Sequence, residues 1–160
     1  MIVCFTGHRP NKLGGYKPCA THDWLRARVR ELLLELQPKE AISGMALGFD
    51  QIAAQACLDI GVPFVAAVPF ETQFMQWPLE SQQAYATLLN KAARVHVVDP
   101  VSPTTGWEAA QKLHARNHWM VDNSDEVIAA WDGTKGGTME CVKYAEKIGR
   151  LVHRIQGWPV

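Results

Sequence analysis

The chain has 160 residues, with 16 basic and 16 acidic side chains and a formal net charge of zero at pH 7. This length predicts a single domain, residues 1–160, whose core is large enough to be stable without disulfide bonds or a structural metal. The balanced charge argues against a generic polyanion-binding surface, and therefore against a nucleic-acid partner. The four cysteines form no C-x-x-C pair and no apolar run approaches the ~20 residues of a membrane span, so we expect no metal, no cofactor and a soluble, cytoplasmic protein.

Short apolar runs alternate with amphipathic segments along the chain. The predicted strands cover residues 2–5, 40–43, 63–68, 94–98, 127–131 and 151–155. The predicted helices begin near residues 23, 52, 79, 107 and 139, and the segment 11–21 is predicted to be a loop. This β-α alternation predicts an α/β fold in which a largely parallel sheet of about six strands is flanked by helices.

The segment from Glu126 to Ala145 carries the first functional signal. An apolar strand ends at Asp132-Gly133, and Gly136-Gly137-Thr138 precedes apolar residues at helical spacing. Glycines at such a junction let backbone N–H groups approach an anion, and a helix N-terminus adds partial positive charge. The turn therefore favours phosphate binding, although the same glycines are also explained by the positive φ of an ordinary strand-to-helix connection.

Loops that follow parallel strands meet at one edge of a sheet, where ligands bind. The predicted ligand-binding residues come from three such loops: Thr6, Gly7 and Arg9; Ser43, Gly44, Gly48 and Asp50; and Gly133, Gly136, Gly137 and Thr138. The chain has neither G-x-G-x-x-G after its first strand nor G-x-x-x-x-G-K-[ST], so a common dehydrogenase or P-loop NTPase is not indicated. We expect a phosphate-bearing small ligand.

Three segments together resemble the YpsA-related branch of the SLOG superfamily over nearly the whole chain: 6–10 (T-G-H-R-P), 43–50 (S-G-M-A-L-G-F-D) and 132–138 (D-G-T-K-G-G-T). The resemblance implies a three-layer, Rossmann-like domain that binds a nucleotide or nucleotide-derived ligand, and it suggests a dimer. Relatives in the superfamily include DNA-processing protein A, which loads recombinase on single strands, and the Lonely Guy phosphoribohydrolases, which release a base from a nucleoside monophosphate.

The Lonely Guy enzymes carry an arginine-lysine pair, a methionine, an aspartate that opens a strand, and P-G-G-x-G-T-x-x-E. Arg116, Met120 and Asp125 keep that spacing, and Asn117 stands where the lysine would be. The glutamate position falls on Cys141, and the nearest acid, Glu140, comes one residue early. One residue turns a helical side chain by about 100°. We therefore predict nucleotide binding first and catalysis second.

For several polar side chains the sequence is consistent with two different roles. Arg116 is either a solvated surface arginine or a bidentate phosphate ligand, and Arg9 is predicted to neutralise charge at the phosphate or the ribose. His8 is either an acid or base or a residue that fixes its own loop. Asp50 either caps its helix or accepts hydrogen bonds from ribose hydroxyls. If the protein is a hydrolase, Glu140, Arg116, Asp132 and His8 are the candidate catalytic residues.

Aromatic residues offer a further candidate. Trp77, in the irregular loop after the third strand, is the candidate for a lid over a base, whereas helical spacing assigns Trp24, Trp107 and Trp119 to the core or to a subunit contact. The preferred function is thus a sensor, sink or regulator that binds an ADP-ribose-like molecule or a nucleoside monophosphate. The alternative is an N-glycoside hydrolase, and nucleic-acid handling ranks third.

Overall fold

A six-stranded sheet forms the centre of the computed structural model, which describes all of residues 1–160. Its strands are β1 (Ile2–Gly7), β2 (Glu40–Ser43), β3 (Phe64–Val68), β4 (Arg94–Val97), β5 (Glu126–Ala130) and β6 (Leu151–Ile155). The strand order is β4-β3-β2-β1-β5-β6, and every neighbouring pair is parallel. The predicted α/β class and the parallel sheet are confirmed.

Five α-helices connect the strands: α1 (Ala20–Leu36), α2 (Phe49–Ile60), α3 (Leu79–Lys91), α4 (Gly106–Asp122) and α5 (Gly137–Lys147). A short 3-10 helix, Pro10–Lys12, lies at the start of the segment predicted as a loop. Its first residue is proline, whose fixed φ suits a helical start. The helices do not include one with the length and apolar character needed to cross a bilayer.

The helices cover both faces of the sheet, which gives three layers. Alternate strand residues point to opposite faces, so Val3 and Phe5 join the core beneath α1, α2 and α3, whereas Cys4 joins the core beneath α4 and α5. Strands β1, β2, β3 and β5 are buried on both faces and are therefore nearly continuous apolar runs, whereas the edge strands β4 and β6 are partly exposed. This arrangement confirms the Rossmann-like fold that the resemblance implied.

Among the element boundaries that differ from the sequence prediction, two lie at the edge of the sheet where a ligand is expected. The ladder between β1 and β5 continues to Gly7 and Ala130, so β1 is two residues longer than predicted. Helix α2 begins at Phe49, three residues before the predicted start, because the Phe49 side chain is fully buried against β1. Tertiary packing therefore extends both elements into the loops that carry polar residues.

The strand order reverses at β1. The chain moves outward from β1 through β2, β3 and β4, and then returns to add β5 and β6 on the other side of β1. The connections that leave the carboxyl ends of β1 and β5 diverge at this point, and the gap between them is where doubly wound sheets bind ligands.

Candidate functional site

A cavity of about 350 Å³ lies at that reversal point. It is bounded by the loop after β1, the β2–α2 loop, helix α4 and the turn before α5. Its principal polar lining residues are Thr6, His8, Arg9, Asn11, Lys12, Asp50, His114, Arg116, Asn117, Lys135 and Thr138. The predicted residues Gly7, Gly136 and Gly137 also line it. The three loops singled out in the sequence therefore do converge on one crevice.

The crevice concentrates positive charge in a chain whose formal net charge is zero. Four cationic side chains line it, from Arg9, Lys12, Arg116 and Lys135, against the single carboxylate of Asp50. Arg9 and Lys135 are exposed and form no salt bridge, whereas Lys12 pairs with Asp132. Two cations thus remain available to a ligand, and an anion is the complementary guest.

The turn before α5 offers backbone donors to such an anion. Gly136 precedes the helix with φ of 149°, which favours glycine, and no side chain caps the helix. A Cβ atom added at Gly136 or Gly137 would meet nothing within 4 Å, so space lies open in front of the turn. The first N–H groups of a helix have no intrahelical partner. They and the helix dipole make this turn suitable for a phosphate.

Arg116 forms the deep end of the crevice. Its side chain is 3% exposed, and it donates from Nη1 to the carbonyl oxygens of Gly44 and Ala67 and from Nε to Asn117 Oδ1 at 3.0 Å. Burial lowers the pKa of its guanidinium, and the nearby Asp50 opposes that shift. The surface-arginine reading is therefore wrong. Nη2 makes no hydrogen bond within the chain and is the nitrogen left for a ligand.

Asp50 lies beside Arg116 and is buried as well. It is not the helix cap, because Gly48 occupies that position without a side-chain bond and Asp50 is already inside α2. Its Oδ2 accepts a hydrogen bond from the Ala46 N–H at 3.3 Å, and Ser43 Oγ donates to the Asp50 carbonyl at 2.8 Å. Burial raises the pKa of the Asp50 carboxyl, while Arg116 and Arg9 counteract part of that rise. The capping hypothesis for Asp50 is wrong.

At three of the predicted glycines, neighbouring atoms occupy the space that a side chain would need. A Cβ atom at Gly7 would lie 2.5 Å from the Phe49 ring, and one at Gly48 would lie 2.5 Å from the His8 carbonyl oxygen. A Cβ atom at Gly44 would lie 2.5 Å from Arg116 Nη1. Ser43, Gly44 and Gly48 do not line the cavity. Close packing at Gly44 and Gly48 and the hydrogen bonds of Ser43 hold the β2–α2 loop in place.

His8 and Asp132 belong to a hydrogen-bonded cluster at the side of the crevice. His8 Nε2 lies 2.8 Å from Asp132 Oδ1, and Lys12 Nζ donates to Asp132 Oδ2 at 3.1 Å and to the Thr134 hydroxyl. Thr134 donates to Asp132 Oδ1 from its hydroxyl at 2.5 Å and from its N–H at 3.0 Å. These Thr134 bonds, followed by Lys12, hold the pKa of Asp132 below its ordinary value. Burial lowers the pKa of His8 despite Asp132.

The remaining predicted residues do not line the cavity. Glu140 is exposed on the first turn of α5, and neither it, Asp132 nor Gly133 lines the cavity. Trp77 packs edge-on against Tyr85, with ring centroids 5.2 Å apart, and does not reach the crevice. Trp107 is 69% exposed, so its assignment to the core is wrong.

Sequence reasoning missed several lining residues, among them Lys12, Lys135, His114 and Asn117. A signal was present for the two lysines, because Lys135 stands inside the segment 132–138 and Lys12 follows the segment 6–10 directly. His114 and Asn117 lie on α4, where only the packing of the helix shows which face meets the crevice. Asn117, which replaces the lysine of the hydrolase pattern, thus lies in the site itself.

A family model, YpsA, described as the YspA SLOG family, matches residues 3–151. The SPbeta prophage-derived protein YoqJ of Bacillus subtilis (strain 168) is 31% identical over 137 residues, which cover 78% of this chain and 80% of that protein. A UPF0398 protein of Bacillus thuringiensis (strain Al Hakam) is 24% identical over 162 residues, which cover 94% and 85% of the two chains.

Solved structures of DNA processing protein A share the fold. The Streptococcus pneumoniae protein superposes with a TM-score of 0.67 at 21% identity, and this chain spans 50% of its length. The Helicobacter pylori protein, whose structure concerns its single-stranded DNA binding mode, gives a TM-score of 0.67 at 18% identity over 66% of its length. A chain built on this fold binds single-stranded DNA, so our expectation that a nucleic-acid partner could be set aside on charge balance is wrong.

Proposed function

This chain belongs to the YspA SLOG family, and on that premise we propose that the crevice binds the phosphate of a nucleotide or nucleotide-derived ligand. The observation that supports this most is the local excess of cations. Arg9, Lys12, Arg116 and Lys135 surround an open glycine turn at a helix N-terminus. A phosphate there receives backbone N–H donors, the helix dipole and at least two cations without carboxylate partners.

Binding accounts for the site better than hydrolysis does. N-glycoside hydrolysis needs a carboxylate near the sugar to stabilise positive charge or activate water. Glu140 lies outside the cavity, and Asp132 is bonded to His8, Lys12 and Thr134. Asp50 is the carboxylate that does line the cavity, but it is buried beside Arg116 and its Oδ2 already accepts a hydrogen bond from the Ala46 N–H. We propose a sensor, sink or regulator of a nucleoside monophosphate or an ADP-ribose-like molecule.

Calorimetry with AMP, ADP-ribose, NAD and cyclic nucleotides tests the proposal. We expect at least one of them to bind, and Arg9→Gln and Lys135→Gln each to weaken that binding about five- to tenfold, the effect of one cation near a solvent-exposed phosphate. Lys143→Gln is the matched control, because Lys143 is an exposed lysine of α5 that does not line the crevice. Folded protein that ignores the whole panel would overturn the proposal.

A second candidate, a single strand of DNA across the same crevice, is favoured by the likeness to the Helicobacter pylori protein. Single-strand binding depends on salt, with a slope of about −0.7 per phosphate neutralised. Titration of a fluorescent oligo-dT at two salt concentrations, with AMP as a competitor, distinguishes the two. A strand displaced by AMP occupies this crevice, whereas no binding at low salt removes the second candidate.

A further inference from the structure

Helix α4 presents one face to the crevice along much of its length. Ala110, His114 and Asn117 line the cavity, and their spacing of four and three residues places them on one side of the helix. Trp107 precedes Ala110 by three residues and therefore lies on that same side, one turn nearer the helix N-terminus. Since α4 follows the carboxyl end of β4, this N-terminus lies at the edge of the sheet where the crevice opens.

The Trp107 side chain is exposed to solvent and has no aromatic or hydrogen-bond partner in the chain. Its side chain is 69% exposed, it stacks on no other aromatic ring, and its indole nitrogen makes no hydrogen bond. Trp119, further along α4, differs in that it stacks on His96 with ring centroids 4.1 Å apart. Ala110, one turn further along the crevice face, has only a methyl group and therefore fills little of the space beside Trp107.

The position of Trp107 suits the end of a nucleotide that is opposite its phosphate. Ten residues separate Trp107 from Asn117, which corresponds to about 15 Å along the helix axis. Arg116, next to Asn117 in the sequence, is buried and lies at the inner end of that distance. A ligand whose phosphate binds there and that extends along α4 reaches the N-terminus of the helix. A flat apolar group that reaches the rim meets the exposed indole, and base–aromatic stacking is strong and tolerant of base identity.

We propose that Trp107 is the stacking platform for the nucleobase of a ligand whose phosphate lies in the crevice. The inference rests on the proposed phosphate site and adds the base as the second recognised group. It replaces Trp77, which is packed against Tyr85, as the aromatic residue that covers the ligand. The base belongs either to a free nucleotide or to the end of a single strand, and the ring is recognised in the same way.

The test compares AMP with ribose 5-phosphate, which keeps the phosphate and lacks the base. We expect Trp107→Ala to weaken AMP binding by about 5- to 150-fold and to leave ribose 5-phosphate binding unchanged, while Trp107→Phe retains most of the AMP affinity. Trp24→Ala is the control, because Trp24 is an exposed tryptophan of α1 that does not line the crevice. An oligo-dT arm distinguishes the strand from the free nucleotide.

The outcomes separate the two proposals. If ribose 5-phosphate binds and Trp107→Ala leaves AMP and oligo-dT affinities at the wild-type value, the stacking inference fails and the phosphate site stands. If the wild-type protein binds none of AMP, ADP-ribose, NAD, cyclic nucleotides, ribose 5-phosphate and oligo-dT, the phosphate site fails and stacking fails with it. If Trp107→Ala instead converts a dimer to a monomer in sedimentation without a base-specific loss, Trp107 is a subunit contact and the inference is overturned.

Discussion

Arg116 donates from Nη1 to the carbonyl oxygen of Gly44, and a Cβ atom at Gly44 would lie 2.5 Å from that same nitrogen. The same Cβ would lie 2.8 Å from Asp50 Oδ2. The absence of a side chain at Gly44 thus lets a buried guanidinium and a buried carboxylate approach the end of β2 together. Gly44 does not line the crevice, yet it determines where the deepest cation of the crevice can lie.

Gly44→Ala is expected to destabilise the protein by about 1 to 3 kcal/mol, the usual cost of overpacking a filled interior. The displaced Arg116 should also weaken AMP binding. Urea unfolding and calorimetry measure the two effects. Gly106→Ala is the control, because a Cβ there meets nothing within 4 Å and its φ is not positive. Equal stabilities of the two variants would show that Arg116 moves without cost.

Arg116 and Asp50 should be energetically coupled, since burial disfavours both charges and each partly offsets the cost of the other. Arg116→Gln is expected to cost about 3 to 5 kcal/mol, because it leaves a buried carboxylate without its opposing charge. The double variant with Asp50→Asn should cost less than the sum of the singles by about 1 kcal/mol or more.

The control for that cycle pairs Arg116→Gln with Asp59→Asn. Asp59 is on α2 but binds Arg26 and Arg30 of α1, on the other face of the sheet. These two substitutions should be additive in urea unfolding. Additivity in the Arg116 and Asp50 cycle as well would mean that the two charges do not interact.

Asp132 makes stability depend on pH. A carboxyl whose folded pKa is lowered stabilises the fold above its unfolded pKa of about 3.9, and the contribution is lost as the pH falls toward the folded pKa. Asp132→Asn should therefore destabilise the protein by about 1 kcal/mol at pH 7, through lost hydrogen bonds, and by less at pH 3. Urea unfolding at both values measures this. Glu35→Gln, at an exposed glutamate without a partner, should change neither value.

Asp59 joins helices α1 and α2. Arg26 binds its carboxylate through Nε at 2.6 Å and Nη2 at 2.5 Å, and Arg30 adds a third bond at 2.9 Å. These bonds from Arg26, then Arg30, lower the pKa of Asp59. Asp59→Asn should lower stability by about 1 to 2 kcal/mol at pH 7 and by less below pH ~3.9, while AMP binding stays at the wild-type level. A loss of AMP affinity would contradict the separation of this network from the crevice.

The sequence by itself determined the order of strands and helices and the edge of the sheet where the site lies. The spacing of apolar residues and the glycine and proline residues that end an element are local features, so β2 and β6 match their predicted bounds. The glycine turns mark loops that must share one edge of a parallel sheet. It also identified Arg9, Gly136, Gly137 and Thr138 as residues of the crevice. Composition did not decide whether the protein binds nucleic acid, because a net charge of zero says nothing about where the charges are concentrated.

Only the tertiary structure decided what each polar residue touches. Whether Arg116 points to water or to the carbonyl of Gly44 depends on how α4 packs on the sheet, and residues 72 positions apart meet there. The same packing directs His114 and Asn117 into the crevice, leaves Glu140 outside it, and leaves Trp107 exposed to solvent. Long-range contacts decide which face of a helix points toward the crevice. Because of these contacts, cationic residues that are far apart in the sequence line one cavity.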